Sequence, residues 1–324
     1  MKSTRQLLAL IDKEIDATTY GSKPAELYEP IDYIMELGGK RLRPLLVLLA
    51  YSLFKDDADR VARQALSVEV FHNFTLMHDD IMDEAPLRRG KNTVHEEWNA
   101  NTAILSGDVM LVKAYEMLMM EDAELTVELL KAFNKCATEV CEGQQLDMNF
   151  ENRAVVKESE YLNMIKLKTA VLLGFSLELG GLLAKCDRKN QEALRDFGIN
   201  IGLGFQLMDD LLDVYADKSK FGKQVGGDII SNKKTFLLIN ALEKASGKTK
   251  KELEEWISKK KFDADKKVTA VTTIYNKLGI KELTEKAINK YFELGFKSLH
   301  KIDAPLLRKK VLKDFTVNLA AREK

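Results

Sequence analysis

The distribution of proline is the feature of this sequence that most restricts its fold. The five prolines lie at positions 24, 30, 44, 86 and 305, so residues 87–304 contain none. Proline removes a backbone donor and clashes with the preceding helical turn, and a proline-free stretch of this length therefore permits long helices. Apolar residues between positions 61 and 81 recur at spacings of three to five, as one face of a helix requires. The sequence predicts an all-α protein.

The apolar spacing and the turn residues between apolar runs predict where the helices lie. We expect them at residues 4–17, 24–37, 41–54, 58–84, 94–120, 123–149, 158–185, 189–216, 232–246, 248–260, 265–278, 281–301 and 305–322. No linker rich in Pro, Gly or Ser divides the chain. We therefore expect residues 1–324 to form a single large helical domain.

Several classes of protein are disfavoured by the same sequence. We expect no transmembrane segment, because the longest apolar stretches, such as Leu45–Tyr51, are far shorter than the roughly 20 residues that a membrane-spanning helix needs. The N-terminus lacks the long apolar core of a secretory signal. Cys136, Cys141 and Cys186 lack the Cys-x-x-Cys spacing of zinc sites and cannot all pair in disulfides. A cytoplasmic location fits these features.

The net charge of zero conceals an uneven distribution. Residues 246–324 carry 20 Lys and Arg against 11 Asp and Glu, and the rest of the chain carries 30 against 39. A basic tail can bind nucleic acid, but these lysines are interleaved with glutamates and no aromatic stacking pattern accompanies them. We interpret the tail as a solvated helical face and expect no nucleic-acid partner.

One acidic pattern, Asp-Asp-x-x-Asp, occurs twice, each time at the end of a long apolar-periodic run. Its members are Asp79, Asp80, Asp83, Asp209, Asp210 and Asp213. On a helix the first and last aspartates of each copy project from one face, where like charges repel. A divalent cation such as Mg²⁺ would offset this repulsion, because it takes carboxylate oxygens and fills its other positions with water and substrate phosphate. A single copy could be an ordinary acidic helix end, whereas two copies favour a metal site.

Basic residues accompany both acidic motifs. The segment Gly38–Pro44 places three cations after a glycine pair, at a predicted helix N-terminus whose free amides suit an anion. It lacks the spacing of a P-loop, and an ordinary turn with solvated arginines remains an alternative. Arg88 and Arg89 follow the first motif, and Lys223 and Lys233 follow the second. Together these residues suggest a diphosphate that is held partly through metal and partly by charge-assisted hydrogen bonds.

The chain resembles the trans-isoprenyl diphosphate synthases, or polyprenyl synthetases, over about 200 residues. Five motifs occur in the family's order: Gly-Gly-Lys-Arg-Leu-Arg-Pro, Asp-Asp-Ile-Met-Asp with Arg-Arg-Gly, Lys-Thr, Gly-Phe-Gln-Leu-Met-Asp-Asp-Leu-Leu-Asp, and the Gly-Lys to Lys233 segment. The resemblance implies an isoprenoid synthase fold with a central cavity, a homodimer, three Mg²⁺ ions, and head-to-tail condensation of isopentenyl diphosphate with an allylic diphosphate. The released pyrophosphate would take the proton, so no catalytic histidine is required.

The resemblance also implies roles for individual residues. Direct Mg²⁺ ligands would be Asp79, Asp83 and Asp209, with Asp80, Asp210 and Asp213 as further ligands or as groups behind them. The isopentenyl diphosphate site would comprise Lys40, Arg43, His72 and Arg89. The allylic diphosphate would be held by Arg88, Lys168, Lys223 and Lys233. Thr169 and Gln206 would lie near the reacting carbons, and Gln144 and Asp147 also match the family pattern.

The product length is predicted from the turn before the first acidic motif. In this family the growing chain runs beside that helix, and Phe74 and Thr75 lie five and four residues before Asp79, about 6–7.5 Å along the axis. A single aromatic at the earlier position resembles 20-carbon synthases, so we expect a short-chain product of 20 carbons first and 15 second. Ordinary core packing of Phe74 is the alternative.

Other functions are less consistent with these residues. A class I terpene cyclase shares the first acidic motif, but its second metal motif normally uses Asn, Ser or Thr, and Glu, and squalene-type synthases fit less well for the same reason. A di-iron bundle would need two Glu-x-x-His motifs, and we find only Glu69–His72. A non-catalytic helical partner subunit remains an alternative, although all six aspartates are retained.

Overall fold

The computed structural model describes residues 2–216 and 226–322. Its helices are α1 (Thr4–Ala17), α2 (Ala25–Glu36), α3 (Leu42–Tyr51), α4 (Ala62–Met82), α5 (Val94–Glu97), α6 (Ala100–Leu118), α7 (Ala123–Glu151), α8 (Glu158–Ile165), α9 (Val171–Leu183), α10 (Arg188–Tyr215), α11 (Gly227–Ser231), α12 (Phe236–Lys244), α13 (Gly247–Ser258), α14 (Ala264–Leu278), α15 (Ile280–Lys301) and α16 (Leu306–Arg322). A 3₁₀ turn at Ala58–Val61 precedes α4, and a π-helical turn at Lys166–Ala170 joins α8 to α9. The predicted all-α class is confirmed.

A two-residue hairpin is the one pair of strands in the described part of the chain. β1 (Leu87–Arg88) and β2 (Lys91–Asn92) pair antiparallel, with Arg88 opposite Lys91. Arg89 and Gly90 form the turn with φ of 53° and 77°, the left-handed conformation that such tight hairpin turns require. The hairpin follows the first acidic motif directly and therefore fixes where its arginines point.

Polar side chains define several helix starts, as the sequence pattern requires. The Ser3 hydroxyl oxygen accepts a hydrogen bond from the amide of Gln6, and Oε1 of Gln6 accepts one from the amide of Ser3, which forms a capping box before α1. Asn99 caps α6 and Asp263 caps α14 in the same manner, each accepting from the amide three residues ahead.

Three predicted helix ranges show the main kinds of difference from the structure. The range 94–120 is broken because Trp98 leaves the helical region and Asn99 caps a new helix. The range 232–246 begins only at Phe236, since Asn232 adopts a left-handed conformation with φ of 53° that ends α11. The range 158–185 contains the π-helical turn. Each difference depends on local backbone geometry that apolar spacing does not encode.

The described residues pack into two compact units. The first comprises the described residues within Met1–Asn134, Phe175–Leu194 and Ala304–Arg308. The second comprises those within Lys135–Gly174, Arg195–Asp303 and Lys309–Lys324. In the first unit, Phe133 stacks edge-on against Phe71 at 5.0 Å between ring centroids and lies 5.7 Å from Phe175. The core of the second unit is formed by apolar residues of α8, α10, α12, α14 and α15. None of the helices described has the length and apolar character that crossing a membrane demands.

Candidate active site

The first acidic motif lies at the C-terminal end of α4, and its three aspartates have different environments. Asp79 is half-buried and Asp83 is exposed. Asp80 is only 3% exposed and accepts two hydrogen bonds of 2.6 Å from Arg88, one to each carboxylate oxygen. Such a bidentate pair is short, directional and charge-assisted. The middle aspartate is therefore buried, whereas the outer two are half-buried or exposed.

The predicted isopentenyl diphosphate residues cluster around His72 on α4. Burial lowers the pKa of His72 well below its usual range, and the positive charges of Arg43, Arg89 and Arg88 lower it further. The imidazole is therefore neutral among three guanidinium groups. Arg43 and Arg89, which were predicted for this site, thus lie near His72, as does Arg88, which was predicted for the allylic diphosphate. Lys40 is exposed in the Gly38–Pro44 segment.

The glycine pair before α3 leaves room for one of these arginines. A Cβ at Gly39 would lie 3.0 Å from Nη2 of Arg89, a contact too close for most side chains. Burial also lowers the pKa of Arg89. Gly39 is therefore needed for the close approach of the hairpin arginine to the Gly38–Pro44 segment, which explains physically why glycine lies there.

An ion pair that the sequence did not predict supports the same segment. Arg41 adopts a left-handed conformation with φ of 45° before α3. Its guanidinium donates to Glu69 at 3.0 Å and to the carbonyl of Met35 at 2.7 Å. Glu69 thus accepts from an arginine and His72 is surrounded by arginines, an arrangement that provides no support for a di-iron reading of Glu69–His72.

The second acidic motif lies near the C-terminal end of α10 and repeats the same division. Asp209 is exposed and Asp213 is half-buried, whereas Asp210 is 5% exposed. Asp210 accepts a short hydrogen bond from the hydroxyl of Tyr161 and a second from Nε2 of Gln206 at 3.3 Å. Its partners are neutral, in contrast to the arginine that pairs with Asp80.

The electrostatic surroundings of Asp210 follow from this burial. Burial raises the pKa of Asp210 to about 7, and the negative charge of Asp228 raises it too. The hydrogen bonds from Tyr161 and Gln206 and the positive charge of Lys233 act in the opposite direction. Burial likewise raises the pKa of Tyr161 well above its usual range, as does the charge of Asp210. Tyr161 is therefore the proton donor of the pair.

The π-helical turn presents the Lys-Thr motif. Nζ of Lys168 lies 2.7 Å from the carboxylate of Asp147 on α7, and the hydroxyl of Thr169 lies 3.2 Å from Oε1 of Gln206. A Cβ at Gly143 would overlap the backbone of Lys168, so glycine permits α7 to pack against this turn. π-helical turns frequently occur at functional sites. The predicted residues Lys168, Thr169 and Gln206 thus lie together, with Asp147 as the partner of the lysine.

The segment after α10 lies next to the second acidic motif, within the second unit. The amide of Asp228 donates to Asp213 at 3.0 Å, and the amide of Lys233 donates to the carbonyl of Asp228 at 2.9 Å. Lys233 itself is exposed. Lys223, also predicted for the allylic diphosphate, lies outside the described residues. Asp228 was not predicted, although its acidic side chain within the fifth motif was a usable signal.

Tyr161 is the other residue that sequence reasoning missed. It lies seven positions before Lys168, two helical turns, which is a weak signal by itself. Its partner Asp210 is 49 residues away in the chain, so only the packing of α8 against α10 brings the two side chains together. No local pattern specifies such a pair.

The proposed product-length residues lie on α4, one turn before the first motif. Phe74 is 9% exposed and its ring contacts Phe71 at 5.6 Å and His78 at 4.7 Å between centroids. Thr75 donates its hydroxyl to the carbonyl of His72 at 2.7 Å. Phe74 is therefore the bulky group of this turn, and Thr75 is small and bonded to its own helix.

The donor set can be tested against a metal ion. In the described part of the chain, no three His, Cys, Asp or Glu side chains converge into a cage of their own. Mg²⁺ is usually bound through one or two carboxylates together with substrate phosphates, so the outer aspartates of each motif suit it better than they suit an ion with an all-protein site. The residues present therefore fit Mg²⁺ held jointly with a diphosphate.

Comparison with known proteins gives the family. The sequence profile of the polyprenyl synthetase family matches residues 24–275. A short chain isoprenyl diphosphate synthase of Methanocaldococcus jannaschii is 43% identical over 79% of this chain and 78% of its own, and a geranylgeranyl pyrophosphate synthase of Geoglobus acetivorans is 38% identical over 91% and 90%. The crystal structure of a geranylgeranyl pyrophosphate synthase aligns over 98% of each chain with a TM-score of 0.94 and 44% identity. This chain belongs to the polyprenyl synthetase family.

Proposed function

We propose that this protein is a transferase, a short-chain trans-prenyltransferase that condenses isopentenyl diphosphate head-to-tail with an allylic diphosphate. The observation that carries the proposal is the difference in burial within both acidic motifs: the middle aspartate is buried, and the outer aspartates are half-buried or exposed. Outer carboxylates placed i and i+4 on a helix suit cations shared with a substrate. The names of the relatives support the same activity.

The diphosphate groups would be held by the cationic residues of each unit. In the first unit, Arg43, Arg88 and Arg89 surround the neutral His72. Guanidinium groups bind phosphate oxygens in a fixed fork geometry, and a neutral imidazole can donate one further hydrogen bond. In the second unit, Lys168 and Lys233 would serve the allylic diphosphate. These residues are assigned to the diphosphates because they occupy the positions of the family's motifs.

Magnesium would be held by Asp79, Asp83 and Asp209, with Asp213 as a further candidate. When bound, Mg²⁺ would neutralise the charge that develops on the leaving diphosphate. Asp80 and Asp210 are buried and bonded to Arg88 and Tyr161, so we assign them to positioning the outer carboxylates. Three ions are expected by resemblance to the family.

The reaction requires no protein nucleophile. The allylic carbon–oxygen bond breaks with its electron pair on the leaving diphosphate, the isopentenyl double bond supplies the pair of the new carbon–carbon bond, and the released pyrophosphate accepts the proton. The protein would position both substrates, exclude water, and stabilise positive charge with oxygen dipoles such as those of Thr169 and Gln206.

A 20-carbon product is the specific form of this proposal. Phe74 is the bulky residue one turn before Asp79, and relatives named geranylgeranyl diphosphate synthase support that length. Replacing it, as Phe74→Ala, would remove the floor, and we expect longer prenyl chains on reverse-phase chromatography of the dephosphorylated products. Thr75→Ala changes the second product-length position, and we expect a smaller effect because Thr75 is already small and its hydroxyl is bonded to its own helix. An unchanged product from Phe74→Ala would refute the floor assignment.

A homodimer is proposed from the outer face of α6. Leu105 and Val112 are 58% and 62% exposed and lie seven residues apart, so both project from the same side of the helix. Met119, seven residues further, is also exposed. An exposed apolar stripe of this kind is typical of an association surface. Light scattering of Leu105→Glu/Val112→Glu should give the monomer mass if this stripe is the dimer contact.

The activity itself is tested with purified protein, Mg²⁺, isopentenyl diphosphate and each of the dimethylallyl, geranyl and farnesyl primers. We expect elongated prenyl diphosphates. No product with any primer would favour the non-catalytic partner subunit, and a cyclised hydrocarbon made from a long prenyl diphosphate alone would favour the terpene cyclase.

A further inference from the structure

A chain of hydrogen bonds connects the core of the second unit to the Lys-Thr motif. Tyr161 donates its hydroxyl proton to one oxygen of Asp210, and Gln206 donates from Nε2 to the other oxygen at 3.3 Å. Thr169 then donates its hydroxyl proton to Oε1 of Gln206 at 3.2 Å. Tyr161 and Asp210 are both buried, so water does not compete with the first bond.

The direction of each bond in this chain follows from the atoms that face each other. The NH₂ group of Gln206 faces Oδ1 of Asp210 and donates to it. Its carbonyl oxygen consequently points toward Thr169. A threonine hydroxyl has one proton, and here that proton is donated to Gln206. The hydroxyl oxygen of Thr169 can therefore only accept from any further partner.

We propose that Tyr161 is a positioning residue for carbon–carbon bond formation, because by holding Asp210 it orients the Gln206 amide and keeps the oxygen of Thr169 an acceptor. This inference rests on the proposed function, in which Thr169 lies beside the reacting carbons. An oxygen that presents only lone pairs stabilises the positive charge that develops on the allylic carbon. Without the tyrosine hydroxyl, Asp210 can turn, the amide can flip, and Thr169 can direct its proton toward that charge.

Tyr161→Phe tests the proposal because it removes the hydroxyl and retains the ring. We expect kcat to fall about tenfold, because the transition state loses the stabilisation of roughly one hydrogen bond. We expect KM for both diphosphates to stay within about twofold of wild type. Tyr51→Phe is the matched control, since Tyr51 is also buried and donates to an aspartate, Asp57, at 2.7 Å, outside the motifs. We expect the control to retain full kcat.

A double-mutant cycle with Thr169→Val separates positioning from general damage to the fold. If Tyr161 acts through Thr169, the double variant Tyr161→Phe/Thr169→Val turns over within about twofold of Thr169→Val alone. A merely structural role of Tyr161 would instead multiply the two losses. Thermal unfolding of each variant accompanies the kinetic measurements.

Asp210→Asn provides a second route should Tyr161→Phe fail to fold. The amide of the introduced asparagine offers a donor to Gln206, which reverses the direction of the chain of hydrogen bonds. We therefore expect a kcat at least as low as that expected for Tyr161→Phe. We also expect the same lack of additivity with Thr169→Val. Full kcat in Tyr161→Phe, or multiplicative losses in both cycles, would overturn the inference. Wild-type protein that elongates no primer would overturn the proposed function instead.

Discussion

The two acidic motifs have the same sequence pattern and the same division of exposure, but their middle aspartates are held in opposite ways. Asp80 pairs with the charged Arg88, whereas Asp210 is bonded to the neutral Tyr161 and Gln206. A buried carboxylate with a cation partner is compensated, and one with neutral partners retains much of its desolvation cost. Identical motifs can therefore contribute differently to stability while presenting the same outer carboxylates.

The largest expected effect tests what the motifs share. Asp79→Ala and Asp209→Ala each remove a carboxylate assigned to Mg²⁺, and we expect turnover to fall by at least about 10²–10³, as when a principal electrostatic group is lost from an active site. Folding should be retained, because removing one of two repelling carboxylates relieves the helix. Steady-state kinetics and circular dichroism measure both quantities. Full activity, or unfolding, in either variant would contradict the shared role.

The next prediction concerns protein stability, to which we expect the two motifs to contribute differently. Asp80→Asn leaves the guanidinium of Arg88 without its charged partner in a largely buried position, and we expect the free energy of unfolding to fall by about 1–3 kcal/mol. Urea denaturation at pH 8 in EDTA provides the measurement. Unchanged stability would mean that the Arg88 pair does not compensate the burial of Asp80.

Under the same conditions, Asp210→Asn is expected to change the free energy of unfolding in the opposite direction. The pKa of Asp210 is raised from 3.8 to about 7 in the folded protein, so its contribution to stability is fully present below about pH 4 and is lost as the pH rises through about 7. Without metal, Asp210→Asn should therefore be more stable than wild type at pH 8 and should lose this advantage at pH 4. A variant that is less stable at pH 8 would remove the contrast with Asp80.

The smallest expected effect is that of a substitution in a third acidic cluster, which serves as a control for the two motifs. Asp56 pairs with Arg308, and Asp59 pairs with Lys2, both at the surface of the first unit. Exposed pairs of this kind contribute little. Asp59→Asn should leave turnover and melting temperature unchanged within error, and a measurable loss of turnover would extend the site beyond the two motifs.

Much of the fold was predictable because helix-forming periodicity is local. The ranges for α4, α7, α10 and α14 agree with the structure to within a few residues. The failures at Trp98 and Asn232 lie where the chain adopts non-helical or left-handed backbone. Those conformations are selected by the elements packed around them, and the apolar spacing continues across them without a signal.

The candidate site was predictable to the extent that it consists of motifs. The sequence predicted Arg43, His72 and Arg89 for one diphosphate site, and these residues lie near one another in the structure, together with Arg88, which was predicted for the other diphosphate. Asp80 and Asp210, in contrast, were predicted only as further ligands or as groups behind the direct ligands, and no partner was predicted for either. Their distinct roles depend on Arg88 and Tyr161, partners that burial selects.

The sequence by itself determined the helical class, the family and the identity of the outer carboxylates, since each is encoded by residue spacing within one helix or one segment. Only the tertiary structure decided which aspartates are buried, which partner each one has, and in which direction Gln206 and Thr169 point. The physical reason is that desolvation and hydrogen-bond direction depend on contacts between helices, such as Tyr161 with Asp210, 49 residues apart.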